Sequence, residues 1–455
     1  MSSLIKESAF SEWKGYQKTA LQFFLFFFSL LTIPLDIKFY KFLFSGSWLD
    51  FHITDLLAIA SYLPNFFSEN DTSPWGLASF STWGLVLAIA LAASFAWTAY
   101  ERRTNQSLVD YNKLYYWLRA VLRYRLGIAL IAYGLIKIFP LQMPLPSLSN
   151  LHTNYGDFLP WKIYFHTVGV APNYETFFGV VEVLAGVLLF FRNKVSFGAG
   201  IVLGFAGNIV AANFAYNIGS HVLSTYLVLI ATFLFAHDVP RLFNLLALEK
   251  PTKAERYEPD FTDSRLKKAK FYLKGFAYLF VAALALSSFI NYQSDPYLIP
   301  QKAGLSGAYG FYNVKHFVFN NDTIPYSRTD LNRWQNVVFE KWSTISIKTA
   351  KPVKLDFSVR HASQLNDIDR VYESAGVGDR RYFDYTIDSS SKSLSLLNKN
   401  PHHRDEKFNL NYQRLNDSTI VLTGVNENND KITAYLERID RKYMLIEGRR
   451  KPVKL

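Results

Sequence analysis

Apolar residues are segregated along this chain in a way that leaves it few folds. The first two-thirds carries helix-length apolar runs, among them Leu77 to Tyr100 and Val195 to Phe214. The last third, from about Asn291, carries none and alternates with period two. A bilayer-spanning helix needs about 20 mostly apolar residues. The pattern therefore predicts a membrane α-helical bundle of about seven spans followed by a soluble all-β barrel-like domain. The hydrophobic fraction of 50% and the charged fraction of 19% average over these two unlike parts.

The expected spans are 20–44, 78–99, 124–140, 175–191, 196–214, 221–237 and 272–290. Pro34, Asp36 and Lys38 interrupt the first, which predicts a kink or an interfacial second half. Segment 51–67, with Asp55 and Pro64, is too short to cross and predicts an interfacial or re-entrant helix. The N-terminus carries Lys6, Glu7, Glu12, Lys14 and Lys18 and lacks a cleavage motif, so the first run is expected to stay as an anchor.

The formal charge is +12, with the basic residues gathered between apolar runs. Segment 101–125 holds Arg102, Arg103, Lys113, Arg119, Arg123 and Arg125; turn 192–194 holds Arg192 and Lys194; loop 238–274 is rich in both. Loops 45–77 and 141–174 hold only Lys162. Positive loops stay in the cytoplasm. This places the N-terminus inside and the C-terminal domain outside, in the periplasm of a bacterial inner membrane. The charge serves topology and anionic lipid, and no nucleic-acid motif accompanies it. Cysteine is absent and there are three methionines, so no disulfide, thiolate metal site or iron–sulfur ligand set is encoded. His402-His403 lacks a third ligand at useful spacing and belongs to the surface.

Three domains follow: 1–110, membrane helices with an interfacial segment; 111–290, the helical bundle with the last span; and 291–455, the β domain. Its expected strands are Tyr309 to Phe319, Trp334 to Trp342, Thr344 to Lys348, Arg381 to Asp388, Lys392 to Leu397, Phe408 to Gln413, Thr419 to Val425, Ile432 to Arg438 and Lys442 to Glu447. Turn residues such as Asn320-Asn321-Asp322 separate them. Region 363–380 is polar and predicts a loop or short helix.

Ionisable residues within spans are costly and mark function by default. Tyr133, Lys137, Glu182, Asn208, Asn213, Asn217 and His221 form a candidate intramembrane polar cavity. The Pro-punctuated loop 141–174 is a candidate lid with Tyr155, Asp157, Trp161 and His166. Two readings of Lys137 and Glu182 stand: a buried pair that relays protons or holds a quinone carbonyl, or a snorkelling lysine beside a glutamate that hydrogen-bonds between helices. Gly200, Gly204 and Asn208, four apart, predict close helix packing.

Several blocks in 111–246 resemble the DoxX-like membrane proteins. They are Arg123-Tyr124-Arg125-Leu126-Gly127, Tyr133-Gly134-Leu135-Ile136-Lys137 with Gln142, Tyr155-Gly156-Asp157, Gly179 to Gly186, Leu188 to Arg192, Asn213-Phe214-Ala215-Tyr216 and Asp238-Val239-Pro240-Arg241-Leu242. The resemblance covers about a third of the chain. It implies a four-helix core and, from relatives that serve thiosulfate:quinone oxidoreductase or other membrane redox complexes, a quinone-linked role with a redox partner. More distant likeness reaches the membrane domain of vitamin K-dependent γ-carboxylase. The family pattern Asp-Val-Pro-Val-Lys is replaced here by Asn217-Ile218-Gly219-Ser220-His221. The C-terminal part resembles lipocalin-like barrels in Tyr312-Asn313-Val314, Trp334 to Glu340, Leu422-Thr423-Gly424 and Tyr435 to Arg438. The alternatives are a non-catalytic anchor presenting a ligand- or partner-binding β domain, and a transporter or lipid-binding protein. The latter calls for internal repeats, which the sequence lacks.

Overall fold

A computed structural model describes residues 13–45, 52–67, 76–252, 257, 264–294, 297–356 and 366–448. Lys6, Glu7 and Glu12 lie outside them, as do Lys253 and Arg256 of the basic loop 238–274. The helices are α1 (Gly15–Thr32), α2 (Ile37–Ser45), α3 (Ile53–Ala60), α4 (Ser81–Thr104), α5 (Tyr111–Ile138), α6 (Leu148–Leu151), α7 (Pro160–Gly169), α8 (Pro172–Phe190), α9 (Val195–Ala215), α10 (His221–Ala236), α11 (Val239–Leu246) and α12 (Ser264–Ser294). Among the described residues, five helical segments are long and apolar enough to cross a membrane, or six if the bent pair α10–α11 is one span. Exposed Leu85, Leu87, Ile89 and Phe95 on α4, and Phe271, Phe276 and Leu279 on α12, present the apolar surface that lipid would cover. The chain is built for association with a membrane.

Local chemistry explains the breaks. α1 stops two residues before Pro34, which cannot donate to the helix ladder. Asp110 caps α5 by accepting from the backbone N–H groups of Asn112 (2.9 Å) and Lys113 (3.3 Å). α10 spans 16 residues and turns through 61° into α11. α5 carries Lys113, Arg119, Arg123, Arg125 and Lys137 among mostly apolar and aromatic residues.

Arg125, counted above among loop charges, lies inside α5. Its guanidinium donates to the carbonyls of Ala60 and Tyr62, each at 2.5 Å, and so satisfies the C-terminal end of α3. α3 packs on Ala132, Ile136 and Leu284. Its end is tied through those carbonyls to Arg125, twelve residues before Lys137 on α5.

The β domain comprises β1 (Gly310–Phe319), β2 (Asp322–Thr323), β3 (Asn336–Phe339), β4 (Thr344–Lys348), β5 (Arg380–Asp388), β6 (Ser393–Asn398), β7 (Lys407–Arg414), β8 (Thr419–Asn426) and β9 (Lys431–Ile439). β1 and β3 to β9 pair antiparallel in order, and β1 also pairs with β9 from Phe311↔Ile439 to Phe319↔Ile432, closing an eight-stranded barrel. Tyr312, Phe317, Trp334, Phe339, Phe383 and Leu422 fill its interior. A bulge between Val314 and His316 shifts the alternation of β1, which is why Phe317 faces inward after Val314. The strand expected over Lys442 to Glu447 is instead a helical turn, Met444–Glu447. β9 already finds its last partner in β1, so the closed sheet has no edge for a further strand.

Candidate functional site

Glycine sets the geometry of the site. α5 and α8 run antiparallel, with Gly127 against Gly186 and Gly134 against Gly179. A Cβ on Gly134 would lie 2.7 Å from the Gly179 carbonyl oxygen, and one on Gly186 would lie 2.8 Å from that of Gly127. Only backbones without side chains approach so closely. Helical side chains lean toward their own N-terminus. From antiparallel helices, Lys137 and Glu182 therefore lean toward each other. Lys137 Nζ donates to both Glu182 carboxylate oxygens at 2.6 Å. The residues are 6% and 5% exposed, so Lys137 is buried in a pair and does not snorkel. The Tyr133 ring lies 5.7 Å from the ammonium.

The pair borders a cavity of about 230 Å³. Tyr133, Lys137, Glu182 and Asn213 supply its polar flank, and Phe178, Ile209 and Leu227 its apolar walls. Trp161, Tyr164 and Phe165 of α7 line it from the loop. Tyr297, Val371, Tyr372 and Ala375, all beyond the last span, complete it. The β domain thus contributes directly to a cavity between the helices.

Loop 141–174 is the mortar that makes this arrangement. Glu340 accepts from the backbone N–H groups of Leu148 (3.2 Å) and Ser149 (2.7 Å) at the start of α6. Phe158 bridges Val377, Leu159 N–H donates to Gly376 O at 2.9 Å, and Gly378 N–H donates to Asp157 O at 2.9 Å. Gly376 has φ +73°, and a Cβ there would meet the Trp161 ring at 2.9 Å. Lys162 is fully buried, donates to the Tyr372 carbonyl and holds its ammonium 3.7 Å from the Tyr372 ring centre. Burial pushes Lys162 down to about 7 despite Glu373 nearby.

The structure brings Tyr133, Lys137, Glu182, Asn213 and Trp161 together and places the other candidates elsewhere. Asn213 also donates to Ser224 Oγ at 2.9 Å. Asn208 is exposed on α9. Asn217 sits in a left-handed turn at φ +53° that ends the helix, so it shares no helical face with His221. His221 lies beside Ser79 Oγ, with Nε2 at 2.8 Å. Tyr155 is 73% exposed. The Asp157 carboxylate accepts from Asn154 at 2.9 Å. His166 packs edge-on against Phe158. The expected Gly200–Gly204–Asn208 packing stripe is not a close contact: Gly204 has nothing near its missing side chain, and Gly198 is the α9 glycine packed tightly, against Ala185 and Leu188.

Sequence reading missed Tyr297 and the Val371–Ala375 segment. Their signal was faint: an apolar Val371-Tyr372 pair inside an otherwise polar stretch. Comparison with known proteins finds no matching family model, curated protein or solved structure.

Proposed function

We propose that the chain is a DoxX-like, quinone-linked component of a membrane redox system. On this reading it lies in a bacterial inner membrane with seven spans, its N-terminus cytoplasmic and its barrel periplasmic. One observation carries the functional part: a buried Lys–Glu pair forms the wall of an aromatic cavity large enough for a ring. Burying two charges costs several kcal/mol per ion before their attraction is counted. A pair serving only to hold helices together gains nothing from a cavity beside it.

In the proposed role Lys137 donates a hydrogen bond to a carbonyl of the quinone head, and Glu182 accepts one from the corresponding hydroxyl of the quinol. Phe178, Trp161 and Tyr164 pack against the ring. Electrons come from or go to an envelope redox partner; this chain orients the ring and manages protons. The DoxX-like assignment draws support from the blocks that contribute Tyr133, Lys137, Gln142, Glu182 and Asn213, all of which border this one cavity. The orientation draws support from the barrel lying at the Ile138 end of α5, away from the basic turn Arg192–Lys194. The side chains filling the barrel weigh against a ligand inside it.

Lipid extraction and mass spectrometry of the purified protein test the reading. A quinone should accompany the wild type and be lost from a Lys137→Met/Glu182→Leu variant. A wild-type preparation that carries none and takes none up on reconstitution would end this proposal.

A further inference from the structure

Besides the Lys137–Glu182 pair, the cavity has a second, incomplete set of polar groups. Tyr372 and Gln142 both line it. The Tyr372 hydroxyl and Gln142 Oε1 are buried and have no hydrogen-bond partner among the described residues. Nearly all buried polar atoms in folded proteins are paired, and an unpaired one costs about 1–3 kcal/mol. Two of them on residues that line the same cavity, one able to donate and one to accept, are a capacity to bind.

Tyr372 is also held in place. Its carbonyl accepts from Lys162, and its ring lies under the Lys162 ammonium at 3.7 Å. Both contacts act on parts of the residue other than the hydroxyl. The phenol keeps its proton, because burial raises it, and Glu175 and Tyr297 raise it further. The group is therefore a donor and not a phenolate.

We propose that the Tyr372 hydroxyl, supplied by the β domain, donates to an oxygen of the cavity ligand while Gln142 Oε1 accepts from a hydroxyl of its reduced form. This deepens the quinone reading and rests on it. It makes the barrel a working wall of the intramembrane site, with no need for a ligand of its own. It also specifies the ligand: a ring with hydrogen-bonding oxygens at two places on its rim, one met by Lys137 and Glu182, the other by Tyr372 and Gln142. A hydrocarbon chain or a lipid tail would leave Tyr372 and Gln142 unpaired.

The test uses the full chain in detergent, titrated with ubiquinone-1. Quinones quench indole fluorescence, and the component lost in Trp161→Phe reports the cavity. Tyr372→Phe should weaken binding about tenfold and Gln142→Leu several-fold. Tyr155→Phe, on an exposed tyrosine, should change nothing. The melting temperature of ligand-free Tyr372→Phe should stay level or rise, because the hydroxyl removed has no partner. A fall in that temperature would mean the hydroxyl serves the fold and would overturn the proposal. Wild-type affinity in Tyr372→Phe and Gln142→Leu would overturn it too, leaving the quinone reading intact. Absence of binding to the wild type would remove both.

Discussion

The molecule has two polar interiors, and they are built on opposite principles. Within the β domain two buried ion pairs are fully partnered. Lys399 donates to Glu373 at 2.8 Å, Glu373 also accepts from Thr344, and Arg381 binds Glu406 at 2.8 Å while donating to the carbonyls of Lys351 and Pro352. In the cavity one ion pair is complete, and the Tyr372 hydroxyl and Gln142 Oε1 are not. A saturated network fixes a geometry and has nothing left to offer a ligand. An unsaturated one is a cost that a fold retains where binding returns it. The junction of loop and barrel holds Tyr372 in place through Lys162, and the proposed ligand site draws on the hydroxyl it presents.

The contrast is broken most severely at Lys399. Lys399→Met strands Glu373, whose side chain is 3% exposed. Removing one partner of a buried pair costs about 3–5 kcal/mol. Thermal unfolding of the full chain should show the largest fall of any single substitution here; a fall worth under about 1 kcal/mol would mean water reaches the pair. Lys137→Met should cost less, about 3 kcal/mol. Adding Glu182→Leu should recover most of that stability while ligand binding stays lost. A double variant that remains as unstable as the single one would assign the pair to the fold. Gly376→Ala should cost about 1–2 kcal/mol for the left-handed backbone. It should also weaken ubiquinone-1 binding, since the new methyl displaces Trp161 from the cavity wall. Unchanged quenching of Trp161 would disconnect junction from cavity.

The sequence carried the gross design because bilayer length and strand alternation are local patterns. Lys137 and Glu182 were legible as charges inside apolar runs. Their pairing rests on Gly134 meeting Gly179, a register between helices that no local pattern encodes. Arg125 looked like a topological charge because its partners, Ala60 and Tyr62, are backbone carbonyls some 60 residues away. Asn217 and His221 were misleading for a local reason: the left-handed residues Asn217 and Gly219 break the helix that would have aligned them. Tyr372 was invisible because its place depends on a loop from the bundle docking onto the barrel. Long-range closure, at the site as in the β1–β9 seam, is what the sequence withheld.

That docking should respond to acid, gently near neutrality. His152 stacks on Phe311 at 3.7 Å, with Nε2 2.6 Å from the Tyr443 hydroxyl. Burial, then Arg380 and Arg441, push it down to about 4. Burial and Lys162 push His166 down to about 3, and Lys162 itself titrates near 7. Each is a base whose value is lower docked than free, so the undocked state binds more protons and docking strengthens as pH rises. Lys162 contributes loss as pH falls from the ordinary lysine range to about 7. The two histidines add theirs from about 6.5 down to their docked values. Hydrogen exchange in residues 147–170 should therefore be slowest in mild alkali, faster at pH 7 and faster again at pH 5, after correction for intrinsic exchange rates. His152→Phe should remove part of the lower step and leave the upper one. An upper step that persists in Lys162→Met would mean another group governs it, and the clamp on Tyr372 would then be held by something other than this lysine.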